Sequence, residues 1–261
     1  MNERNKWALI TGASSGLGVV FAREYAKKGY NLVLTARNRE ALQGLADQLT
    51  ATYTISCHVE PVDLSALGAA SKLKNTLDAI PITIDVLINN AGMGVHGSFL
   101  KCPPEKLMNM LQLDITALTE LTHAFGQAMA SRGTGKIVLV SSLLGYQAAP
   151  GYAAYAASKA YVLSLGESLH EELKASGITL TVLSPGLTNT NFIAAADQPI
   201  SPAMKRVMME PEPVVKAGIK ALESRRASVI PGWLNKIASQ SNRLTPKVMQ
   251  RRMMARILRG S

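Results

Sequence analysis

Short apolar runs alternate along this chain with longer amphipathic segments, a pattern that predicts an α/β domain built on a doubly wound parallel sheet with helices on both faces. Two further observations point the same way. Several of the runs, Ile137–Val140 and Leu180–Leu183 among them, are nearly continuous in apolar residues, as strands covered on both faces should be. The chemically unusual residues fall just after the runs, where open parallel sheets bind their ligands.

Seven strands are predicted, at Lys6–Thr11, Asn31–Ala36, Thr54–Val59, Asp85–Asn89, Lys136–Ser141, Thr179–Ser184 and Ala227–Ile230. Between the first two, Leu17–Lys28 reads as a helix ended by Gly29. Arg39–Leu49 is amphipathic, and Ser65 is placed to cap a helix that runs to Ile80 before Pro81 stops it. No repeat or linker divides the chain, so residues 1–261 are expected to form one domain. Within it, 187–215 is expected to act as a helical lid and 232–261 as a basic helical extension.

A hydrophobic content of 47% over 261 residues supports a sizeable core. Cys57 and Cys102 form neither a disulfide framework nor a metal-ligand spacing, so no metal is expected and a reducing, cytoplasmic location is. The first residues run straight into a strand, and no stretch approaches a membrane span. The net charge of +10 is local: residues 1–200 hold 15 basic and 15 acidic side chains, residues 201–261 hold 13 and 3. With a neutral body and no base-reading motif, nucleic-acid binding is not expected.

The strand ends carry the chemistry. After the first strand, Thr11-Gly12-Ala13-Ser14-Ser15-Gly16-Leu17-Gly18 combines a tight turn with a helix N-terminus, a combination suited to a pyrophosphate. No Gly-Lys-Ser/Thr follows, which excludes a Walker phosphate loop. After the second strand, where an NAD site would place an acid, stands Arg37, with Arg39 nearby; a guanidinium there suits a 2′-phosphate, so the cofactor is expected to be NADP(H). Asp63 follows the third strand, Asn90-Ala91-Gly92 the fourth, Ser142 the fifth and Pro185–Thr190 the sixth. Tyr155 and Lys159 lie one helical turn apart, so the ammonium is expected to favour the phenolate and bring the tyrosine within acid–base range. Ser142 would hold the substrate oxygen while Tyr155 moves the proton.

In this order the Gly-rich turn, Asn89-Asn90-Ala91-Gly92, Ser142, Tyr155 and Lys159 resemble the classical short-chain dehydrogenase/reductase family, from about Lys6 to Gly186. The resemblance implies a Rossmann-type sheet and a homodimer or homotetramer. It also implies roles: Tyr155 as general acid/base, Lys159 as the residue that lowers its pKa and binds the nicotinamide ribose, and Ser142 as the group orienting the carbonyl. Asn90, Asp63 and the neighbouring Leu64 would border the adenosine, and Pro185, Gly186, Thr188 and Thr190 the nicotinamide carboxamide. One position departs from the family pattern: members carry an Asn in the helix before the fifth strand, supporting a proton relay to the lysine, and this chain has Asp114.

Beyond Gly186 the residues speak for themselves. Phe192, Ile193, Met204 and Met208 are expected to line a substrate pocket with Met93, Val95, Leu143, Leu144 and Tyr152, which suits an apolar 3-oxoacyl, aliphatic, aromatic or steroid carbonyl. A helix started by Thr245 and Pro246 would gather Met249, Met253, Met254, Ile257 and Leu258 on one face and Arg251, Arg252, Arg256 and Arg259 on the other. It would dock on its own domain, on a partner subunit, or on an anionic membrane. The expected activity is NADPH-dependent reduction of a ketone or aldehyde, or its reverse. The alternative is a non-catalytic NADP(H)-binding sensor or scaffold of the same fold.

Overall fold

The computed structural model describes residues 5–196, 198 and 201–259. Seven strands, Trp7–Thr11 (β1), Asn31–Thr35 (β2), Cys57–Val59 (β3), Ile84–Asn89 (β4), Gly135–Val140 (β5), Ile178–Leu183 (β6) and Ser228–Val229 (β7), pair in parallel in the order β3-β2-β1-β4-β5-β6-β7. The direction of winding reverses between β1 and β4. Their carboxyl ends therefore open a crevice, the usual ligand position in such sheets.

Alternate side chains of each strand feed separate cores. Ala8 and Ile10 of β1 face the helices Gly16–Lys27 (α1), Arg39–Thr52 (α2) and, further along the chain, Pro211–Glu223 (α9). Leu9, between them, faces Ala69–Asp78 (α3), Leu118–Arg132 (α5) and Ala153–Glu172 (α6). A third cluster forms at the mouth of the crevice, where Pro104–Leu111 (α4) supplies Leu107, Met110 and Leu111 to Tyr152, Tyr155 and Ala156 of the α6 region. The remaining helices are Phe192–Ala195 (α7), Pro202–Val207 (α8), Trp233–Leu244 (α10) and Lys247–Arg259 (α11).

Two expectations are corrected. The third strand begins at Cys57, not Thr54. Ser65 caps no helix: its hydroxyl and its N–H both donate to the Asp63 carboxylate, at 2.6 and 3.0 Å, which folds residues 63–66 into a turn. The helix starts only at Ala69, after Gly68. The region after β6 holds two short helices, α7 and α8.

Close packing of α6 on the sheet sets the height of the residues it carries. A Cβ on Gly166 would overlap the Val182 side chain of β6 and sit 3.2 Å from Leu139 Cδ1 of β5. Gly166→Ala should therefore cost about 1–3 kcal/mol through overpacking, read as a lower urea or thermal unfolding midpoint. An unchanged midpoint would show that α6 can lift without penalty.

Candidate active site

The Gly-rich turn folds into a cradle. Gly12 adopts φ +67°, and a Cβ there would meet Asn90 Nδ2 at 2.9 Å and Ala91 Cα at 3.0 Å, so β1 and β4 can close on each other only with glycine. Asn90 returns the contact by donating to the Thr11 carbonyl at 2.8 Å, while Thr11 Oγ1 accepts from the N–H groups of Asn90 and Ala91. A Cβ on Gly18 would overlap the Gly12 carbonyl oxygen, so α1 starts flush against the turn. The Ser15 side chain at the head of α1 makes no cap bond, and no acidic residue stands in the first turn. Free N–H groups and a positive dipole end, walled by glycines, fit the pyrophosphate of a dinucleotide.

The rim of the cradle carries the expected discriminating residues. Arg37 is exposed past the end of β2, beside Asp63. Against the upward push of burial, the Ser65 hydroxyl and N–H, with Arg37 adding its charge, hold the Asp63 carboxyl below its ordinary range. Leu64 is buried in the core under α3, so only its backbone can face a ligand. On the opposite side, Pro185–Thr190 leads from β6 back toward α1: the Pro185 carbonyl accepts from Leu143 N–H at 2.7 Å, Thr188 donates to the Gly186 carbonyl, and Thr190 reaches Gly16.

Between these walls stand the titratable groups. Tyr155 is buried on α6, with the Ser142 hydroxyl near enough to favour its charged form. Its neighbour Ser141 has a different task, donating at 2.7 Å to the Lys159 carbonyl and so fastening α6 to the end of β5. Lys159 extends beneath the tyrosine ring, its Nζ 5.6 Å from the centroid, 3.3 Å from the Val140 carbonyl and 3.2 Å from Asp114 Oδ2. Asp114 is wholly buried, accepts from Met93 N–H at 2.9 Å and from the Ser158 hydroxyl at 3.3 Å, and lies in a π-helical turn, Gln112–Ala117, between α4 and α5. That extra-wide turn aims its carboxylate at the lysine. Gly92 makes room, since a Cβ there would sit 3.1 Å from Lys159 Nζ and 3.2 Å from Asp114 Oδ1.

One expectation about these groups is not met. Tyr155 lies above, not below, its ordinary value: burial raises it, the Asp114 carboxylate adds to the rise, and the Ser142 hydrogen bond lowers it only in part. Burial is the largest cause, and the Lys159 ammonium lies 3.2 Å from Asp114 and 5.6 Å from the tyrosine ring centroid. Asp114 is itself pushed up by burial, with Lys159, Met93 N–H and Ser158 opposing.

The substrate side is a run of rings. Phe192 of α7 packs 5.5 Å from Tyr155, Tyr155 packs 5.7 Å from Tyr152, and Tyr152 packs 5.0 Å from His96. Leu144, Met93 and Val95 complete this cluster, whereas Ile193 and Met204 are buried and Met208 is half-buried. Two residues enter that the sequence did not single out. Gln198 accepts from the Tyr152 hydroxyl at 2.6 Å, tying the segment after β6 to the site, and burial pushes Tyr152 up to about 12. Asn235 of α10 backs Gly186, where a Cβ would come within 2.5 Å of Asn235 Nδ2. Neither belongs to a local motif, so only the fold could bring them in. The α11 face is also revised: Met254 is buried beside Gln147, but Met249 and Met253 are exposed. The side chains of Arg256, Ile257, Leu258 and Arg259 lie outside those described.

Comparison with known proteins gives this arrangement its class. Residues 6–200 match the short chain dehydrogenase family, and the chain belongs to it. It is 30% identical over 93% of its length to a 7beta-hydroxysteroid dehydrogenase of Clostridium sardiniense, covering 92% of that protein. It is 29% identical over 86% of its length to the ketoacyl reductase HetN of Nostoc, covering 78% of it. Among solved structures, a short-chain dehydrogenase from Sphingobium yanoikuyae in complex with NADPH superposes with a TM-score of 0.83 at 32% identity, with 92% of each chain covered. The chain is accordingly an oxidoreductase of the short-chain dehydrogenase/reductase family.

Asp114 generates a prediction with a definite sign. Its charge raises Tyr155 and occupies Lys159, so Asp114→Asn should lower the tyrosine pKa on both counts. In the alcohol-oxidising direction the rising limb of log kcat/KM against pH should move to lower pH; a limb that stays in place would remove Asp114 from control of the proton.

Proposed function

We propose that the chain is an NADPH-dependent reductase of apolar ketones or aldehydes, running in reverse as an alcohol dehydrogenase. The observation that carries this reading is the buried Tyr155–Ser142 pair, set between the glycine cradle and a wall of aromatic rings. Gly12, Ser14, Ser15, Gly16, Leu17 and Gly18 would hold the pyrophosphate, Arg37 the 2′-phosphate, and Asn90, Ala91, Gly92 and Pro185–Thr190 the remaining rim. When bound there, NADP(H) supplies the hydride donor or acceptor.

The chain's own residues then handle position and proton. Ser142 holds the carbonyl oxygen, and Tyr155 delivers its proton to that oxygen as negative charge develops on it. The neutral phenol is the form that donates in reduction, and the phenolate the form that accepts a proton in the reverse oxidation. Lys159, held by Asp114 and the Val140 carbonyl, fixes a positive charge below the ring. Met93, Leu144, Tyr152 and Phe192 keep water from the reacting centre, and their apolar surface favours bulky hydrophobic carbonyls. The names of the steroid and ketoacyl relatives support the same range of substrates. A cofactor-consumption screen over 3-oxoacyl, aliphatic, aromatic and steroid carbonyls tests the range.

A second reading is a non-catalytic NADP(H)-binding sensor of the same fold, favoured by Asp114, whose carboxylate lies 3.2 Å from Lys159 Nζ. Two partly buried free thiols, Cys57 and Cys102, are consistent with a reducing compartment. Apolar residues left exposed around α4, Phe99, Leu100 and Met108, support self-association as a homodimer or homotetramer, which sedimentation analysis would test.

Two variants separate the readings. Tyr155→Phe should keep NADPH binding and lose about 10²–10⁴-fold in turnover; equal turnover would end the acid–base role, and no turnover in the parent chain with any carbonyl would favour the sensor. Arg37→Ala should weaken NADPH by about tenfold or more and leave NADH nearly unchanged. NADH serving the parent chain better than NADPH would overturn the cofactor assignment.

A further inference from the structure

The helix α10 is amphipathic the wrong way round. It seats Asn235 and Ser239 toward the body, with Ser239 only 5% exposed, and turns Trp233 and Ile237 outward at 69% and 58% exposure. At 100° per residue these two stand half a turn from the Asn235–Ser239 line, and Leu234, also exposed, flanks them. The next helix repeats the theme: α11 seats Gln250 and Met254 and leaves Val248, Met249 and Met253 in solvent. Burying polar residues while exposing a tryptophan, an isoleucine and a leucine makes no sense for a helix whose only contact is its own domain.

The charge of the segment identifies the occupant. Residues 232–261 contain seven Lys and Arg and no Asp or Glu, and the described basic side chains on these helices, including Lys236, Arg251 and Arg252, are exposed among the apolar ones. Pairing this face with the same face of a second copy would bring the exposed Lys236, Lys247, Arg251 and Arg252 against their own counterparts. Exposed Trp, Leu, Ile and Met interleaved with cations are instead matched by an anionic lipid surface, where the rings and aliphatic chains enter the headgroup boundary and the cations meet phosphates and carboxylates. Among the described residues no helix is long and apolar enough to cross a membrane, so the contact is one of lying on it.

We propose that α10 and α11 form an anionic-membrane docking face beside the active-site mouth. The placement gives it a use. Asn235 backs Gly186, and Met254 accepts from Gln147 Nε2 at 3.0 Å in the loop that follows Ser142, so the docked helices hold two strand-end loops of the site at the lipid surface. An apolar carbonyl dissolved in the bilayer would then reach Tyr155 without crossing bulk water. That delivery role rests on the proposed reductase activity; the docking does not.

Co-sedimentation of the full chain with vesicles of phosphatidylcholine alone, or with phosphatidylserine added, tests the docking without any enzymatic readout. The chain should pellet with the anionic vesicles, much less with the neutral ones, and less as salt rises. Arg251→Gln with Arg252→Gln should lower the partition about thirtyfold, following the usual gain per surface cation. Trp233→Ala with Ile237→Ala should weaken binding at every salt concentration while leaving the unfolding midpoint and NADPH turnover in detergent-free buffer unchanged. Equal pelleting with both kinds of vesicle, or no loss in either double variant, would overturn the proposal. So would a concentration-dependent dimer that the Trp233/Ile237 variant abolishes while vesicles leave the parent chain in the supernatant, and so would capture by an acidic protein in place of lipid. Failure of the carbonyl screen alongside intact vesicle binding would strike the activity and spare the docking.

Discussion

Lys159 and Asp114 meet 3.2 Å apart with almost no access to water, and much of the site is arranged around keeping them there. Taking two charges out of water costs several kcal/mol each, a cost that close geometry and further hydrogen bonds must offset. The surroundings meet that demand from every side. Met93 N–H and the Ser158 hydroxyl serve the carboxylate, the Val140 carbonyl serves the ammonium, and Gly92 leaves the space between the elements clear. Through these contacts the pair joins the end of β4, the end of β5, the π-helical turn and α6. Removing either partner alone would strand the other charge, so the four elements stand or shift together.

The pair also explains the state of the tyrosine above it. An ammonium one turn away would draw a phenol toward ionisation if nothing else claimed that charge. Here burial beside Phe192 and Tyr152 is the larger cause of the rise, and the Asp114 carboxylate that holds the ammonium adds to it. Both effects push the phenol toward its neutral form, beside the rings of Phe192 and Tyr152.

Most of the fold was legible because parallel strands buried on both faces leave nearly unbroken apolar runs, as in Ile137–Val140 and Leu180–Leu183. The site was legible to the extent that its residues follow strand ends: Gly12, Asn90, Ser142 and Pro185 need only the topology to converge. What could not be read depends on three-dimensional competition. Ser65 looks like a helix cap until Asp63 takes its hydroxyl. Lys159 looks like the partner of Tyr155 until Asp114, forty-five positions earlier, reaches it through a π-helical turn that leaves no sequence mark. Gln198 and Asn235 arrive from segments with no motif, and the terminal methionines divide between buried Met254 and exposed Met249 because the docking of α11 decides it.

Burial and the Asp114 carboxylate should keep Tyr155 a neutral phenol at pH values where an exposed tyrosine ionises. Carbon-13 labelling of the tyrosine ring carbon that bears the hydroxyl, with Tyr155→Phe to assign the signal, reads its ionisation directly across a pH titration. The signal should keep its phenol position beyond pH ~10, where an ordinary tyrosine has half ionised. A Tyr155 signal already at the phenolate position near neutral pH would contradict the account and return Lys159 to the role of lowering that pKa.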